Sequence, residues 1–375
     1  MRNMKNRLSK ELEYKISIIT VCLNSERTIE QTIQNVIGQN DENFEYIIID
    51  GGSSDRTLDI ISKYKVSISL VVSEPDGGIY DAMNKGISLA TGEIIGIINS
   101  DDWYELGTFE AVRKCFQEND VEIVYGSMNI VNESGLVKRL IPTDIKKIRY
   151  EMEVPHPTVF VKRDIYDKYG NFRLNYEIAS DYELLLRFYT KGVKFFCINK
   201  VLANFRCGGV SQREERKCIL ETVEIAEDYL HCIPPTEKEY YENIILRKRR
   251  VNNYLEILDN YSFKILEFLE IKSGKEAKID IVIFGAGEWG IKTCLALEQR
   301  SIIPKFIVDN SEGKWNTEKC GIKVLKPEVL RDFKGVLLIA VKDFSADILL
   351  QVKNMNNPEI SYITWEEIAD ELILT

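Results

Sequence analysis

The sequence predicts an α/β protein, in which a mostly parallel sheet covered by helices is followed by a smaller α/β unit. Short apolar runs rich in β-branched residues alternate with amphipathic segments along the N-terminal part of the chain. Such alternation of strand and helix is typical of a parallel sheet with covered faces. The same pattern restarts at Lys278, after a long polar stretch.

The first elements are predicted from apolar runs, helical periodicity and turn residues. Asn24-Ser25 precedes the first predicted helix. The Gly51-Gly52 turn separates the second strand from the second helix, and Gly92 follows the third helix. The predicted strands are 16–22, 45–50, 68–73 and 94–99, and the predicted helices are 26–39, 57–64 and 79–90.

The later elements are less regular. A helix is predicted at 107–120, strands within 121–141, a short strand at 158–162 and an amphipathic helix from Ser180 to Thr190. Residues 213–272 are polar and helical. We therefore expect a first domain at 1–212, a helical linker at 213–277 and a second domain at 278–375.

Composition excludes several classes of protein. The 375 residues carry a net charge of −10, which argues against a general nucleic-acid binder. The eight cysteines form no CxxC pair and indicate reduced thiols, and only two histidines are available for a zinc site. The N-terminus lacks the apolar core of a signal peptide, and no apolar run is long enough to span a bilayer. We therefore expect a cytoplasmic protein.

Polar side chains follow several of the predicted strands. Asp101 and Asp102 follow the fourth strand within the stretch from Ile94 to Tyr104, Asp50 ends the second strand and Asn24 follows the first. Ligands of parallel sheets bind beyond the carboxyl ends of the strands. A carboxylate pair there favours Mg²⁺ or Mn²⁺, which can neutralise a diphosphate. An ordinary Asp-rich turn is the alternative.

Four segments together resemble the family 2 glycosyltransferases, which have the GT-A fold. They are SIITVCLNSERTIEQTI, YIIIDGGSSDRTLDII, SEPDGGIYDAMNKGISLATGEIIGIINSDDWY and ASDYELLLR, within residues 15 to 212. The resemblance is to bacterial members that build cell-surface polysaccharides. It implies that the protein transfers a sugar, with inversion, from a nucleotide-sugar donor to an acceptor that is a glycan or a polyprenyl-linked saccharide. It also implies that other polysaccharide-assembly enzymes are its partners.

The resemblance also implies roles for the acidic residues in the motifs. Asp50 would accept a hydrogen bond from a uracil or guanine base, while Gly51 stands where many members have a second acidic residue. Asp102 would bind the metal, and Asp101 would meet the ribose or a metal-bound water. Asp55 is expected to cap the following helix.

Asp181 would be the catalytic base, because the family's base usually lies in a Glu-Asp or similar pair at a helix start, where this chain has Ser180-Asp181. Without the resemblance, a helix cap is the simpler interpretation of Asp181.

Other residues are expected to line the donor site. Asp76 lies in a segment that lines the nucleotide-sugar pocket in relatives, and Lys85 would meet phosphate or remain solvated. His156 would touch the acceptor or diphosphate, or serve as a loop histidine. Arg206 belongs to a run, Phe205 to Ser211, that resembles a flexible loop closing over the diphosphate.

The second domain carries glycines with the spacing of a dinucleotide-binding turn. Gly285, Gly287 and Gly290 follow an apolar run, and Asp309 ends the next one. This resembles Rossmann-like domains that bind NAD(P) or another nucleotide, or small units appended to transferases for assembly. Close packing of helix on strand would also explain the glycines.

Other functions remain open. The basic run 247–250 would suit peripheral contact with an anionic membrane, or it is a solvated helix face. A sugar nucleotidyltransferase lacks support because no glycine-rich basic loop follows the first strand. A non-catalytic nucleotide-binding scaffold is the remaining alternative, and a dehydrogenase would rest on the C-terminal glycines alone.

Overall fold

The computed structural model describes residues 14–209, 213–260, 264–265, 269, 280–343 and 345–370. Contacts divide the chain into two compact units, Met1–Tyr241 and Glu242–Thr375. This division falls inside the stretch 213–277, which the sequence suggests is a separate linker.

The described residues of the first unit form one nine-stranded mixed sheet. Its order is β3-β2-β1-β4-β8-β6-β9-β5, with β7 paired to β6. Strands β1 to β4 are parallel, and β8 is antiparallel to both β4 and β6. The strands are β1 (Ile16–Cys22), β2 (Phe44–Asp50), β3 (Leu70–Ser73), β4 (Ile94–Asn99), β5 (Trp103–Tyr104), β6 (Ile123–Asn132), β7 (Gly135–Leu140), β8 (Phe160–Lys162) and β9 (Phe195–Arg206).

Helices cover both faces of this sheet. They are α1 (Ile29–Ile37), α2 (Thr57–Ser62), α3 (Ile79–Leu89), α4 (Thr108–Glu118), α5 (Arg163–Tyr169), α6 (Ser180–Thr190) and α7 (Glu215–Asp228). Strand β1 is buried along its whole length, because its alternate residues enter two hydrophobic cores. Ile18 packs with residues of α1 and α4, whereas Ile19 packs with residues of α3 and α6. The α/β fold class predicted from the sequence is confirmed.

Helix α3 packs unusually close to β1. A Cβ atom at Gly86 would lie 2.4 Å from Cγ2 of Ile19, so a side chain here would force the helix away. This packing fixes the height of α3, whose first turn contributes to the site described below.

Strand β9 is an element that the sequence analysis misses. Its residues alternate irregularly between buried and exposed, so they form no apolar run. It pairs with β6 and β5, and this pairing places Arg206 in a strand instead of the expected loop. Of that loop, residues 207–209 form a turn and residues 210–211 lie outside the described residues.

The second unit contains a separate sheet, as predicted. Its order is β12-β13-β11-β10-β14-β15, with parallel pairing throughout except between β12 and β13. The strands are β10 (Ile281–Phe284), β11 (Phe306–Val308), β12 (Glu318–Lys319), β13 (Ile322–Leu325), β14 (Gly335–Ile339) and β15 (Ile360–Thr364). Helix α8 (Lys238–Asn260) precedes them, followed by α9 (Glu288–Glu298), α10 (Ser345–Lys353) and α11 (Trp365–Asp370).

Candidate active site

Asp50 organises the turn that follows β2. Its side chain is fully buried, and Oδ2 accepts hydrogen bonds from Ser73 Oγ at 2.6 Å and from the backbone N–H groups of Gly52 and Ser53. Ser53 Oγ donates to Oδ1. Burial raises the pKa of Asp50, but these hydrogen bonds outweigh it and hold the pKa below its usual value. Both oxygens of Asp50 are therefore engaged in hydrogen bonds within the protein. A nucleotide base could reach Asp50 only by displacing one of these donors.

Asn24 joins the end of β1 to the same turn. Its φ is 50°, and its Oδ1 accepts a hydrogen bond from the Ser54 N–H at 2.9 Å. Its own N–H donates to Ser53 Oγ. Asp55 accepts from the Thr57 N–H, the first of α2, at 2.9 Å, although Arg56 and not the predicted Asp55 directly precedes the helix. Asn24 itself is exposed at the sheet edge.

The segment between β3 and α3 is held by an ion cluster. Lys85 Nζ lies 3.0 Å from Glu74 and 3.6 Å from Asp81, and it also donates to the Pro75 carbonyl. The hydrogen bond and charge of Glu74 raise the pKa of Lys85. Lys85 is thus engaged in holding the loop that carries Asp76, which the structure leaves half-buried.

The end of β4 brings three polar side chains together. Asp102 is fully buried, and its Oδ1 accepts the backbone N–H of Arg206 at 3.0 Å. Its Oδ2 and the Oδ1 of Asn99 are buried and accept no hydrogen bond within the part of the chain that the structure describes. Asp101 is half-buried.

Ionisation of both Asp101 and Asp102 is unfavourable in their buried positions. Burial and the charge of Asp101 raise the pKa of Asp102 well above its usual value, and burial also raises that of Asp101. Two crowded carboxylates beside orphaned oxygens fit a cation. The described residues contain no group of three or more His, Cys, Asp or Glu that could hold a metal ion. A cation bound here would therefore take some of its ligands from a bound phosphate, as Mg²⁺ does in many enzymes.

Asp101 and Asp102 differ in burial, and the roles expected for them, metal binding for Asp102 and contact with the ribose or a metal-bound water for Asp101, stay predictions. The N–H of Asp102 donates to the Asn99 carbonyl, and the resulting turn points the Asp102 side chain into the protein. Asp101, which is half-buried, is the more accessible of the two carboxylates.

Arg206 lies across this motif. Its Nε donates to the Asp101 carbonyl at 3.2 Å, and its Nη2 donates to Gln31 Oε1 at 2.6 Å. Its guanidinium carbon lies 5.2 Å from the centroid of the Trp103 ring. The predicted cationic residue is thus placed beside the carboxylates by strand pairing.

Asp181 is held at the start of α6. Its Oδ1 accepts the Tyr80 hydroxyl at 3.2 Å and the Tyr182 N–H at 2.9 Å, whereas no described residue donates to Oδ2. The single hydroxyl hydrogen of Tyr80 is shared between Asp181 and the Ile178 carbonyl, whose oxygen is closer, at 2.6 Å. Burial lowers the pKa of His156, and the charge of Asp181 opposes this. A neutral imidazole therefore lies within electrostatic reach of Asp181.

Two residues that hold Asp181 are missed by the sequence analysis. Tyr80 reads as a core residue of α3, and Glu221 lies in the polar helical stretch without a recognised motif. Glu221 accepts hydrogen bonds from the N–H groups of Glu177, Ile178 and Ala179, immediately before α6. These contacts join segments distant in sequence, so no local pattern could reveal them.

The glycine-rich turn of the second unit is tightly packed. A Cβ at Gly290 would lie 1.7 Å from the Gly285 carbonyl oxygen, and Gly285 has a φ of 116°. No atom of the described residues beyond its chain neighbours lies within 4 Å of a Cβ at Gly287. Asp309 accepts from the Ala286 N–H at 2.7 Å and pairs with Lys314 at 3.0 Å. Packing explains two of the glycines, and dinucleotide binding at Gly287 and Asp309 stays a prediction.

The basic run in α8 is at least partly paired with acids of the second unit. Arg250 lies 2.7 Å from Asp370, and Arg247 pairs with Asp343. Across the described ranges, no helix is both long and apolar enough to cross a membrane. Peripheral contact with a membrane stays a prediction.

A protein-family model matches part of the first unit, and two known proteins are similar to this chain in sequence. The model of "Glycosyl transferase family 2" matches residues 17–184. An uncharacterized glycosyltransferase of Mycobacterium tuberculosis is 30% identical over 211 residues, which cover 54% of this chain and 79% of that protein. The Escherichia coli UDP-Glc:alpha-D-GlcNAc-diphosphoundecaprenol beta-1,3-glucosyltransferase WfgD is 30% identical over 139 residues, 37% of this chain and 54% of its own length.

A solved structure has the same fold. The mannosyltransferase from Pyrobaculum calidifontis, in complex with GDP-Man and Mn²⁺, superimposes with a TM-score of 0.50 and 17% identity. The match covers 68% of this chain and 78% of that one. Together with the family match, this likeness confirms the GT-A fold predicted for the first unit.

Proposed function

Since the chain belongs to glycosyl transferase family 2, we propose that its first unit transfers a sugar, with inversion, from a UDP- or GDP-sugar. The acceptor in this proposal is a glycan or a polyprenyl-linked saccharide of a cell-surface polysaccharide. The nucleotides and the lipid-linked acceptor named for WfgD and the mannosyltransferase support this choice of substrates.

The observation that carries the proposal is the arrangement at the end of β4. Asp101 is accessible there, beside the orphaned buried oxygens of Asn99 and Asp102, with Arg206 across the motif. Such a site suits a diphosphate together with a divalent cation, for which Asp101 and Asp102 would be the protein ligands. When bound, Mn²⁺ or Mg²⁺ would stabilise the negative charge of the departing diphosphate.

Arg206 adds a fixed positive charge at the same end of the sheet. Its guanidinium is oriented by Gln31 and Trp103, so it needs little reorganisation when a phosphate binds. In this proposal it binds the diphosphate of the donor and of the leaving nucleotide.

Asp181 is the proposed general base. Its Oδ1 is occupied by Tyr80 and Tyr182, which leaves Oδ2 to take the proton of the acceptor hydroxyl. As the acceptor oxygen forms a bond to the anomeric carbon, the bond from that carbon to the nucleoside diphosphate breaks. Attack opposite the leaving group inverts the anomeric configuration.

A transfer assay tests the proposal. Purified protein is incubated with UDP- and GDP-sugars, a polyprenyl diphosphate-linked saccharide and Mn²⁺, and released nucleotide is measured together with the product's anomeric configuration by NMR. We expect one donor to give an inverted product, and Asp181→Asn to reduce kcat at least about 100-fold. Nucleotide binding without turnover would favour the scaffold alternative, and a retained configuration would refute the role of Asp181.

A further inference from the structure

Asp50 is poorly placed to recognise the nucleotide base of the donor. Asp50 is fully buried, and donors from Gly52, Ser53 and Ser73 occupy both of its oxygens. Leaving any of these donors without a partner would cost free energy. A base that binds beyond β2 must therefore find another acceptor.

Asp76 supplies one at the same place. Gly51 directly follows β2, and a Cβ atom on it would lie 2.6 Å from Asp76 Oδ2. The carboxylate of Asp76 thus occupies the space that a side chain at position 51 would fill. Because Gly51 has no side chain, the end of β2 remains open to this carboxylate.

One oxygen of Asp76 is held and the other is available. Oδ1 accepts the Gly78 N–H at 2.9 Å, while no described residue donates to Oδ2. The surrounding loop is fixed by Lys85, and Asp81 accepts the Gly77 N–H at 2.9 Å. A half-buried acceptor on a braced loop is pre-organised for a ligand that donates a hydrogen bond.

We propose that Asp76 selects the base of the donor by accepting a hydrogen bond from its ring N–H group. Uracil, thymine and guanine carry such an N–H, whereas the corresponding ring nitrogens of cytosine and adenine are acceptors. Repulsion between lone pairs then disfavours cytosine and adenine nucleotides. This inference rests on the proposed function and names the feature of its substrate that the protein recognises.

Methylated nucleotides test the hydrogen bond directly. N3-methyl-UDP and N1-methyl-GDP lack the ring N–H but keep the sugar and diphosphate. We expect the wild-type protein, with Mn²⁺, to bind UDP or GDP at least about 10-fold more tightly than its methylated form in calorimetry. Asp76→Ala should bind the parent and methylated nucleotides equally, while Asp59→Ala, an exposed control on α2, should behave as wild type.

A second experiment moves the carboxylate from position 76 to position 51, and it also controls for misfolding. Gly51→Asp alone should weaken binding, because the new side chain would collide with Asp76. Gly51→Asp combined with Asp76→Gly should restore discrimination against the methylated nucleotide.

The outcomes separate this inference from the proposed function. Binding of UDP or GDP with no discrimination by the wild type, or with discrimination unchanged in Asp76→Ala, would overturn the inference and leave the proposed function standing. Absence of binding by both parent nucleotides would refute both.

Discussion

The backbone N–H of Arg206 donates a hydrogen bond to Oδ1 of Asp102 at 3.0 Å, across 104 positions of sequence. The contact exists because β9 pairs with β5 beside the end of β4. It uses the main chain of Arg206, so the guanidinium stays available for Asp101 and Gln31. The turn after β9 is therefore attached directly to the proposed diphosphate site.

Asp102→Asn should make stability less dependent on pH. Because burial raises the pKa of Asp102, this carboxyl binds more protons in the folded protein than in the unfolded chain above about pH 4, and its contribution to stability falls as pH rises from there. Asn remains neutral and loses this effect. Urea denaturation with EDTA at about pH 4.5, 6 and 7.5 should show the variant gaining stability over wild type as pH rises. A constant difference at all three pH values would contradict the burial of a strained carboxylate.

Tyr80→Phe should lower kcat about 10-fold while changing the donor KM little. The phenyl ring keeps the stacking on Phe172, whereas Asp181 loses a hydrogen-bond donor. We expect the loss in kcat because Tyr80 contacts the proposed base Asp181. Tyr64→Phe, whose hydroxyl contacts Gln34 and Glu30, is the matched control. An unchanged kcat in Tyr80→Phe, or an equal loss in the control, would show that Tyr80 has only a packing role.

Glu221→Ala should destabilise the protein by about 1–3 kcal/mol and lower kcat. The substitution leaves three backbone N–H groups before α6 without their acceptor, so Asp181 loses its fixed position. Glu224→Ala, exposed on the same helix, should leave stability within about 0.5 kcal/mol. Equal effects of the two substitutions in denaturation would argue against this role for Glu221.

His156→Phe should protect the protein against mild acid. Burial lowers the pKa of His156, so this imidazole binds more protons in the unfolded chain than in the folded protein just below its normal pKa, and its contribution to stability falls as pH drops through about 6.5. Phe removes this loss. The exposed His231 is the other histidine of the chain, and His231→Phe should leave the pH dependence as in wild type. Thermal denaturation between about pH 5 and 8 distinguishes the two variants.

Much of the fold could be predicted from local patterns. The apolar runs of β1, β2 and β4 are buried strands, and α3 and α6 begin where their periodicity indicates. Strand β9 could not be predicted in this way, because its partners supply its hydrogen bonds and its side chains form no pattern.

The site could be predicted only in part. Acidic residues at strand ends predict where a ligand binds, but not that Asp102 is more deeply buried than Asp101, since a turn involving Asn99 decides that. Likewise, Asp76 reaches Gly51 only after the chain returns through β3, and no spacing in the sequence encodes that meeting.

Calorimetric titration of UDP and GDP tests the central claim most directly. The wild type, Asp101→Asn and the exposed control Asp59→Asn are each titrated with Mn²⁺ and with EDTA. We predict that Mn²⁺ tightens binding of one nucleotide at least about 10-fold in the wild type and the control, and not in Asp101→Asn. Equal affinity with Mn²⁺ and EDTA in the wild type, or full dependence on Mn²⁺ in Asp101→Asn, would contradict a cation site at the end of β4.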